Sequence, residues 1–269
     1  MEREQYDLMF RQEERHWWYV GMRRISIALL DRFPPRQPEP NGDTASRLEI
    51  LDAGCGSGGM TRYLAERGRV TGMDLSPRAL TFARCRRVER LVRGSIDALP
   101  IRSASFDLVT SFDVLYHLAV ADDVVALEEL HRVLRPGGVL LIRVPAYDWI
   151  RGAHDDAVHT RHRYTRQELV AKMRASGLVV EHASYANSLL FPLAPAKRFL
   201  ERRNGGGGGV TDLWLPPGPL NRLLAELLAL EAALVSTTGL RWGLSVFAVG
   251  RRAESRVSSH GSRVVHAAG

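Results

Sequence analysis

Asp52, Gly54, Gly56, Gly58 and Asp74 form the densest chemical signal in the chain. The strand-like run LEILD passes directly into AGCGSGG and then into an amphipathic stretch. The glycines, with Cys55 among them, therefore stand where backbone must come close to a bound ligand and take unusual dihedral angles. Asp74 closes the next apolar run about 20 residues on, where a carboxylate can accept both hydroxyls of a ribose. Loop and acid together imply an adenosine-type cofactor. Gly54, Gly56 and Gly59 also satisfy GxGxxG, so glycine spacing alone admits a dinucleotide. Asp52 separates the two. Facing a pyrophosphate at about 4 Å, it would cost about 4 kcal/mol at an effective dielectric of 20. The same carboxylate suits the amino group and sulfonium of S-adenosylmethionine, although an acid here also has the simpler use of capping the turn that follows.

If the ligand is S-adenosylmethionine, the chemistry to expect is methyl transfer to an acceptor, which depends chiefly on orientation, worth about 7–11 kcal/mol. A general base contributes about 10²–10⁴-fold where the acceptor needs one and is otherwise dispensable. His117, in DVLYHL, is one candidate at the rim of such a site, and a histidine satisfied within its own loop is the competing reading. The segment PAYDWIRGAHDDAVHTRHRYT is the other, with Tyr147, His154, His159, Arg161, His162 and Tyr164 crowded after a strand. His159 and Tyr164 are its candidate catalytic residues: replacing either should lower turnover and spare cofactor affinity. A polar loop making structural hydrogen bonds explains the same residues. No metal is expected, since the histidines lack helical i,i+4 spacing and neighbouring cysteines.

Short apolar runs alternating with amphipathic stretches place these residues on βα units of an α/β fold. Strands are expected near 48–53, 69–74, 90–94, 106–112, 138–144, 178–185 and 244–249. Helices are expected near 58–67, 77–87, 121–134, 166–176 and 220–234, the fourth capped by Thr165 with Glu168 at capping-box spacing. Residues 2–31 read as a helical preface ending at the proline-rich PPRQPEPNGDTAS. The organisation expected is an N-terminal helical lid over 1–35, a catalytic domain over 46–191 plus 240–252, a flexible and helical insertion over 192–239, and a disordered tail over 253–269.

The ordered motifs ILDAGCGSG, GMDLS, GSIDALPI, FDLVTSFDVLYHL and LRPGGVLLIRVP make the chain resemble the class I, Rossmann-like S-adenosylmethionine-dependent methyltransferases, in particular bacterial small-molecule enzymes with a DxGCGxG loop. The resemblance spans roughly residues 48–178. It implies a seven-stranded, mostly parallel sheet with the last strand antiparallel and helices on both faces. It also implies ribose binding by Asp74, adenine packing by Leu75, and adenine contacts from Ser95 and Ile96. Ser95 departs from the acid usual at its position. Ser111 and Phe112 would close the cofactor site at the end of the fourth strand. HWWYVGMRR resembles the N-terminal helix of related enzymes, which assigns the cofactor carboxylate to Arg23, or second to Arg24, and sets Trp17 or Trp18 against the sulfonium, a contact of about 0.5–2 kcal/mol. The reaction implied moves a methyl group to O, N or C of a small or carrier-linked (glycan or lipid) acceptor and leaves S-adenosylhomocysteine. An RNA or protein methyltransferase, or a non-catalytic cofactor-binding protein, are the alternatives.

With 269 residues, 45% of them hydrophobic and 25% charged, the chain can bury a full core. Two cysteines, Cys55 and Cys85, make no disulfide framework and favour a reducing, cytoplasmic setting; the first twenty residues hold no apolar signal-peptide core. A net charge of +7 raises nucleic acid as a partner. Against it, only Lys172 and Lys197 of the 37 basic residues are lysine, the arginines are scattered, and there is no N/D-PPY-type tetrapeptide or nucleic-acid module. The apolar NRLLAELLALEAALVSTTGL stands close to Lys197, Arg198, Arg202 and Arg203, which keeps open peripheral membrane contact through the insertion.

Overall fold

The computed structural model describes residues 3–36, 47–192 and 215–254. The glycine-rich part of the insertion, with its basic cluster, and the tail beyond Glu254 lie outside the described residues.

Seven strands form one sheet: β1 (Leu48–Ala53), β2 (Gly68–Asp74), β3 (Arg90–Arg93), β4 (Phe106–Phe112), β5 (Leu134–Pro145), β6 (Leu178–Ala186) and β7 (Ser245–Arg252). Their order is β3-β2-β1-β4-β5-β7-β6. Pairing is parallel from β3 through β5, and β7 lies antiparallel to both β5 and β6. β4 and β5 are buried almost throughout, as near-continuous apolar runs in a doubly covered sheet should be. β3, an edge strand, carries exposed arginines at both ends, a charge pattern that discourages further pairing. β5 begins four residues before the expected 138, because Leu134 already pairs with Phe106 across an irregular step.

Both faces are covered. On one, α5 (Asp123–Val133) and α7 (Arg166–Ala175) join Leu51, Val109, Leu140 and Val246 in a core. On the other lie α2 (Trp17–Arg32) and α8 (Gly218–Ser236), whose Met22, Ile25, Leu29 and Leu228 pack with Ile50, Leu141 and Phe247. Gly21 lets these helices meet, since a Cβ there would overlap the Leu228 side chain. Smaller helices complete the fold: α1 (Arg3–Gln12), α3 (Gly59–Leu64), α4 (Pro77–Cys85) and α6 (Ala153–Ala157). The preface is thus two helices broken at residues 13–16, where His16 caps α2 by accepting from the Trp18 N–H.

Caps fix where the helices near the site begin. Ser76 accepts from the Ala79 N–H with Pro77 behind it, and Asp122 accepts from the Val124 and Val125 N–H groups. Thr165 caps α7 as its spacing predicts, through the Glu168 N–H. The Glu168 carboxylate turns to His162 instead.

Candidate active site

The carboxyl ends of β1, β2, β4 and β5 open into one cavity of about 910 Å³, covered by the α1–α2 break and by α8. That volume is at the upper end of the range for ligand sites, enough for a nucleoside cofactor and a second molecule.

The glycine loop forms the floor at one end. Gly54 and Gly56 take φ of +89° and +54°, angles that disfavour a side chain, and a Cβ on Gly54 would overlap Val114. Both Gly54 and Cys55 donate their N–H to the Met73 carbonyl, at 2.7 and 2.8 Å, which ties the loop to the end of β2. Asp74 braces it from below, accepting from the Gly56 N–H at 2.9 Å and the Ser76 N–H at 2.8 Å. Burial pushes the Asp74 carboxyl above its ordinary range, partly offset by those N–H groups. Asp52 is 2% exposed and accepts from the hydroxyls of Thr61 and Thr110, at 2.7 and 2.9 Å. Burial raises it too, against the two hydroxyls. Neither acid has a Lys, Arg or His at ion-pair distance among the described residues. A cradle of glycine backbone over two unneutralised, desolvated carboxylates fits a cationic nucleoside and disfavours a pyrophosphate.

Glu13, from the α1–α2 break, leans over the same loop. It accepts from the Ser57 hydroxyl and pairs with Arg86 at 2.9 Å, and burial raises it. Arg23 lines the cavity with its guanidinium 4.1 Å from the Tyr63 ring centroid. Arg24 instead pairs with Glu226 on the surface and is not among the residues lining the cavity.

Trp17, Arg23, Asp52, Gly54, Cys55, Gly56, Asp74, Leu75, Ser95, Ile96 and Phe112 all line this cavity. Two expected members do not. Gly58 has φ +83° and faces Ala83 and Val88, so its lack of a side chain serves the packing of α3 on α4. Ser111 is fully buried and outside the lining: alternation along β4 turns Thr110 and Phe112 toward the α2 side and Ser111 toward the opposite core.

The other end of the cavity is built from Trp18, Tyr19, Asp113, Tyr116, Arg143 and Arg163, with His117, Asp155, Asn187 and Ser245 nearby. Its charges are paired internally. The Arg143 Nε–H donates to Asp113 at 3.0 Å while its guanidinium lies over Trp18 and Phe112, at 4.7 and 5.2 Å from the ring centroids. Arg163 pairs with Asp155 at 2.7 Å; burial alone would raise that carboxyl, and the guanidinium holds it below its ordinary range. Burial pushes the phenols of Tyr19 and Tyr116 far up, so both keep their protons. His117 is pushed down to about 4 by burial and by His159, stacked at 5.7 Å. Its Nδ1 accepts from the Ala119 N–H at 3.0 Å, which leaves the ring proton on Nε2.

The crowded loop after β5 is largely structural, which corrects two expectations. Tyr164 is fully buried and outside the cavity, its hydroxyl donating to Asp123 at 2.9 Å. Arg161 and Lys172 converge on the same Asp123. His159 adopts φ +57°, stacks on His117 and does not line the cavity. His162 lies between Asp148 and Glu168, at 2.6 and 2.8 Å. The side chain of His154 lies outside the description. Among the described residues no three His, Cys, Asp or Glu side chains are placed to hold a metal, and no helix is long and apolar enough to cross a membrane.

Sequence reasoning missed Glu13, Tyr19, Tyr116, Arg143, Arg163 and Asn187. Only Arg143 carried a usable signal, a charge inside the apolar run VLLIRVP, where an arginine needs a partner.

Residues 51–142 match the family model described as a methyltransferase domain. The chain is 35% identical over 193 residues to a malonyl-[acyl-carrier protein] O-methyltransferase of Enterobacter lignolyticus, covering 69% of this chain and 71% of that protein. It is 33% identical over 138 residues to a protein of Mycolicibacterium smegmatis named as a probable S-adenosylmethionine-dependent methyltransferase, covering 49% and 52% of the two. In fold it is similar to the methyltransferase crystallised with the Trm112 activator of Haloferax volcanii, with TM-score 0.59 and 23% identity over 94% of this chain and all of that one. The chain belongs to the class I, Rossmann-like S-adenosylmethionine-dependent methyltransferases, and S-adenosylmethionine is its cofactor.

Proposed function

We propose that this enzyme methylates a carboxylate oxygen of an acyl group held on a carrier. The bound cofactor supplies an electrophilic methyl group on a sulfonium whose departure leaves neutral S-adenosylhomocysteine. Asp74 takes the ribose hydroxyls, Leu75, Ser95 and Ile96 surround the adenine, and Phe112 closes the pocket. Asp52 stands toward the amino group, Arg23 pairs with the carboxylate by a planar fork, and Trp17 covers the methionine end. The backbone of Gly54, Cys55 and Gly56 brings these groups close.

One observation carries the choice of acceptor: among the described residues at its end of the cavity, Tyr19, Tyr116 and His117 act as hydrogen-bond donors rather than as bases near neutral pH. Tyr19 and Tyr116 keep their protons, His117 sits at about 4, and Asp113 and Asp155 are tied to arginines. An alcohol or ammonium acceptor would need a proton removed. A carboxylate arrives ionised, and the phenols and the His117 Nε2–H can orient it. A relative named for O-methylation of malonyl-[acyl-carrier protein] fits, since a malonyl thioester ends in a free carboxylate.

The test is transfer of labelled methyl to a malonyl thioester of a carrier protein, read as release of label on mild base. Label that resists base, as on nitrogen or an ether oxygen, would refute the ester; label on RNA would favour a nucleic-acid methyltransferase. A lipid-linked carboxylate is the second reading. Leu223, Leu230 and Leu234 of α8 are exposed, next to Leu220 and Leu224 at the cavity wall, and would suit an apolar carrier on a membrane surface. Absence of flotation with anionic liposomes would remove it. Cytoplasmic placement belongs to the same proposal and fits the free thiols of Cys55 and Cys85.

A further inference from the structure

Asn187, where β6 leaves the sheet, is a cavity residue that neither the fold nor the cofactor explains. It is 2% exposed, has φ +60° and lines the cavity, and its Oδ1 is buried with no hydrogen-bond partner among the described residues. Asparagine tolerates the left-handed angle better than most residues, so a turn accounts for the backbone. It does not account for the side chain, because a buried amide oxygen is ordinarily bonded.

The chain on either side of Asn187 is fixed. Ala186 pairs with Ser245 of β7. The Ser188 hydroxyl donates to the Trp242 carbonyl, and the Leu189 N–H donates to the buried Glu231 at 2.8 Å. Besides Ser245, across from Ala186, the cavity has apolar lining from Leu190, Pro216, Leu220, Leu224 and Leu244. An unpartnered acceptor beside several apolar side chains of the lining matches a ligand that is largely methylene with an occasional N–H donor.

Position in the sheet says which part of the ligand that is. Asp74 ends β2 and Asn187 follows β6, five strands away in the order β2-β1-β4-β5-β7-β6, or roughly 24 Å at the usual strand spacing. Asn187 is therefore far from the nucleoside. It is only two strands, roughly 10 Å, from β5, which carries Arg143 of the acceptor end. In a malonyl thioester of a cysteamine-type arm, the first secondary amide lies six bonds from the carboxyl carbon, roughly 8 Å when extended.

We infer that Asn187 determines acceptor specificity by accepting a hydrogen bond from the first secondary amide of the carrier's thioester arm. This rests on the carrier-linked reading above. The experiment compares two malonyl thioesters, one of N-acetylcysteamine, which has the amide, and one of ethanethiol, which lacks it. Wild-type enzyme should prefer the amide-bearing compound by roughly tenfold in kcat/KM. Asn187→Gly accepts the left-handed angle and removes the carboxamide. It should lose that preference, mainly through KM, while keeping its melting temperature and its calorimetric affinity for S-adenosylhomocysteine. Asn187→Asp, which retains an acceptor oxygen, should keep most of the preference and serves as the second variant if the glycine form is unstable. A preference that survives in Asn187→Gly, or an equal loss on both thioesters, overturns the role of Asn187 alone. A wild-type enzyme that methylates neither thioester, nor malonyl-carrier protein, overturns the carrier reading and this inference with it.

Discussion

The two ends of the cavity treat charge in opposite ways. Beside the glycine loop, Asp52 and Asp74 are desolvated and lack ion-pair partners among the described residues, held instead by hydroxyls and backbone N–H groups. Across β4, the charges come in pairs, Asp113 with Arg143 and Asp155 with Arg163. The first arrangement is electrostatically unfinished and gains a cation from the cofactor. The second is closed on itself, each carboxylate held by its arginine. On the proposed function, selectivity for the methyl donor rests on charge, and reactivity toward the acceptor rests on what the acceptor brings.

The hardest break comes from Asp74→Ala. Loss of bonds to two ribose hydroxyls, together with loss of the brace under Gly56 and Ser76, should weaken S-adenosylhomocysteine by about 100-fold or more in calorimetry. A loss below tenfold would reduce Asp74 to a loop brace.

Asp52→Asn should weaken the same ligand by roughly 30-fold, about 2 kcal/mol, while making the empty protein more stable at neutral pH. The sign follows from the raised carboxyl of Asp52. A group that holds its proton more tightly when folded destabilises the fold as pH rises from the ordinary carboxylate value through the raised one. An amide in its place is spared that cost. A bound cation lowers the same carboxyl, so wild-type affinity should strengthen with rising pH across this interval, and the variant should respond less. Thermal melts and calorimetry near pH 5 and near pH 8 read both; a variant less stable than wild type at the higher pH would contradict the desolvation argument.

Tyr164→Phe sharpens the boundary of the acceptor end. The phenol donates to Asp123 in the interior, so its loss should cost about 1–3 kcal/mol of stability in denaturant melts and leave kcat per folded enzyme unchanged. Reduced kcat without destabilisation would return Tyr164 to the chemistry.

The contrast also separates what was legible from what was not. The centre of the cofactor end is assembled from β1, β2 and the glycine loop between them, so Asp52, the glycines and Asp74 stand within 23 residues and their spacing is itself the geometry. The strands from β1 to β4 emerge with little shift for the same reason, since each short run of strand-forming residues is one strand. Ser111 was misplaced because family position outweighed the alternation of its strand. The acceptor end draws Tyr19 from α2, Tyr116 from the loop after β4, Arg143 from β5 and Asn187 from the end of β6. No local spacing connects them. Density of titratable residues then misled, because Arg161, Tyr164 and Lys172 converge on Asp123, His162 lies between Asp148 and Glu168, and His159 stacks on His117 without lining the cavity.

His117 gives the smallest expected effect and the sharpest reading of a neutral acceptor end. Its Nδ1 is occupied by the Ala119 N–H, and burial keeps the ring uncharged above about pH 4, so at neutral pH it offers a donor and little basicity. His117→Asn retains an oxygen for the Ala119 N–H and an NH₂ for the acceptor. Turnover should fall by less than about tenfold, as for one neutral hydrogen bond. The pH–rate profile should keep its shape. A general base lost here would instead cost about 10²–10⁴-fold and remove an inflection from that profile. Such a loss would mean that the acceptor arrives protonated, and an ionised carboxylate could no longer be the group the enzyme methylates.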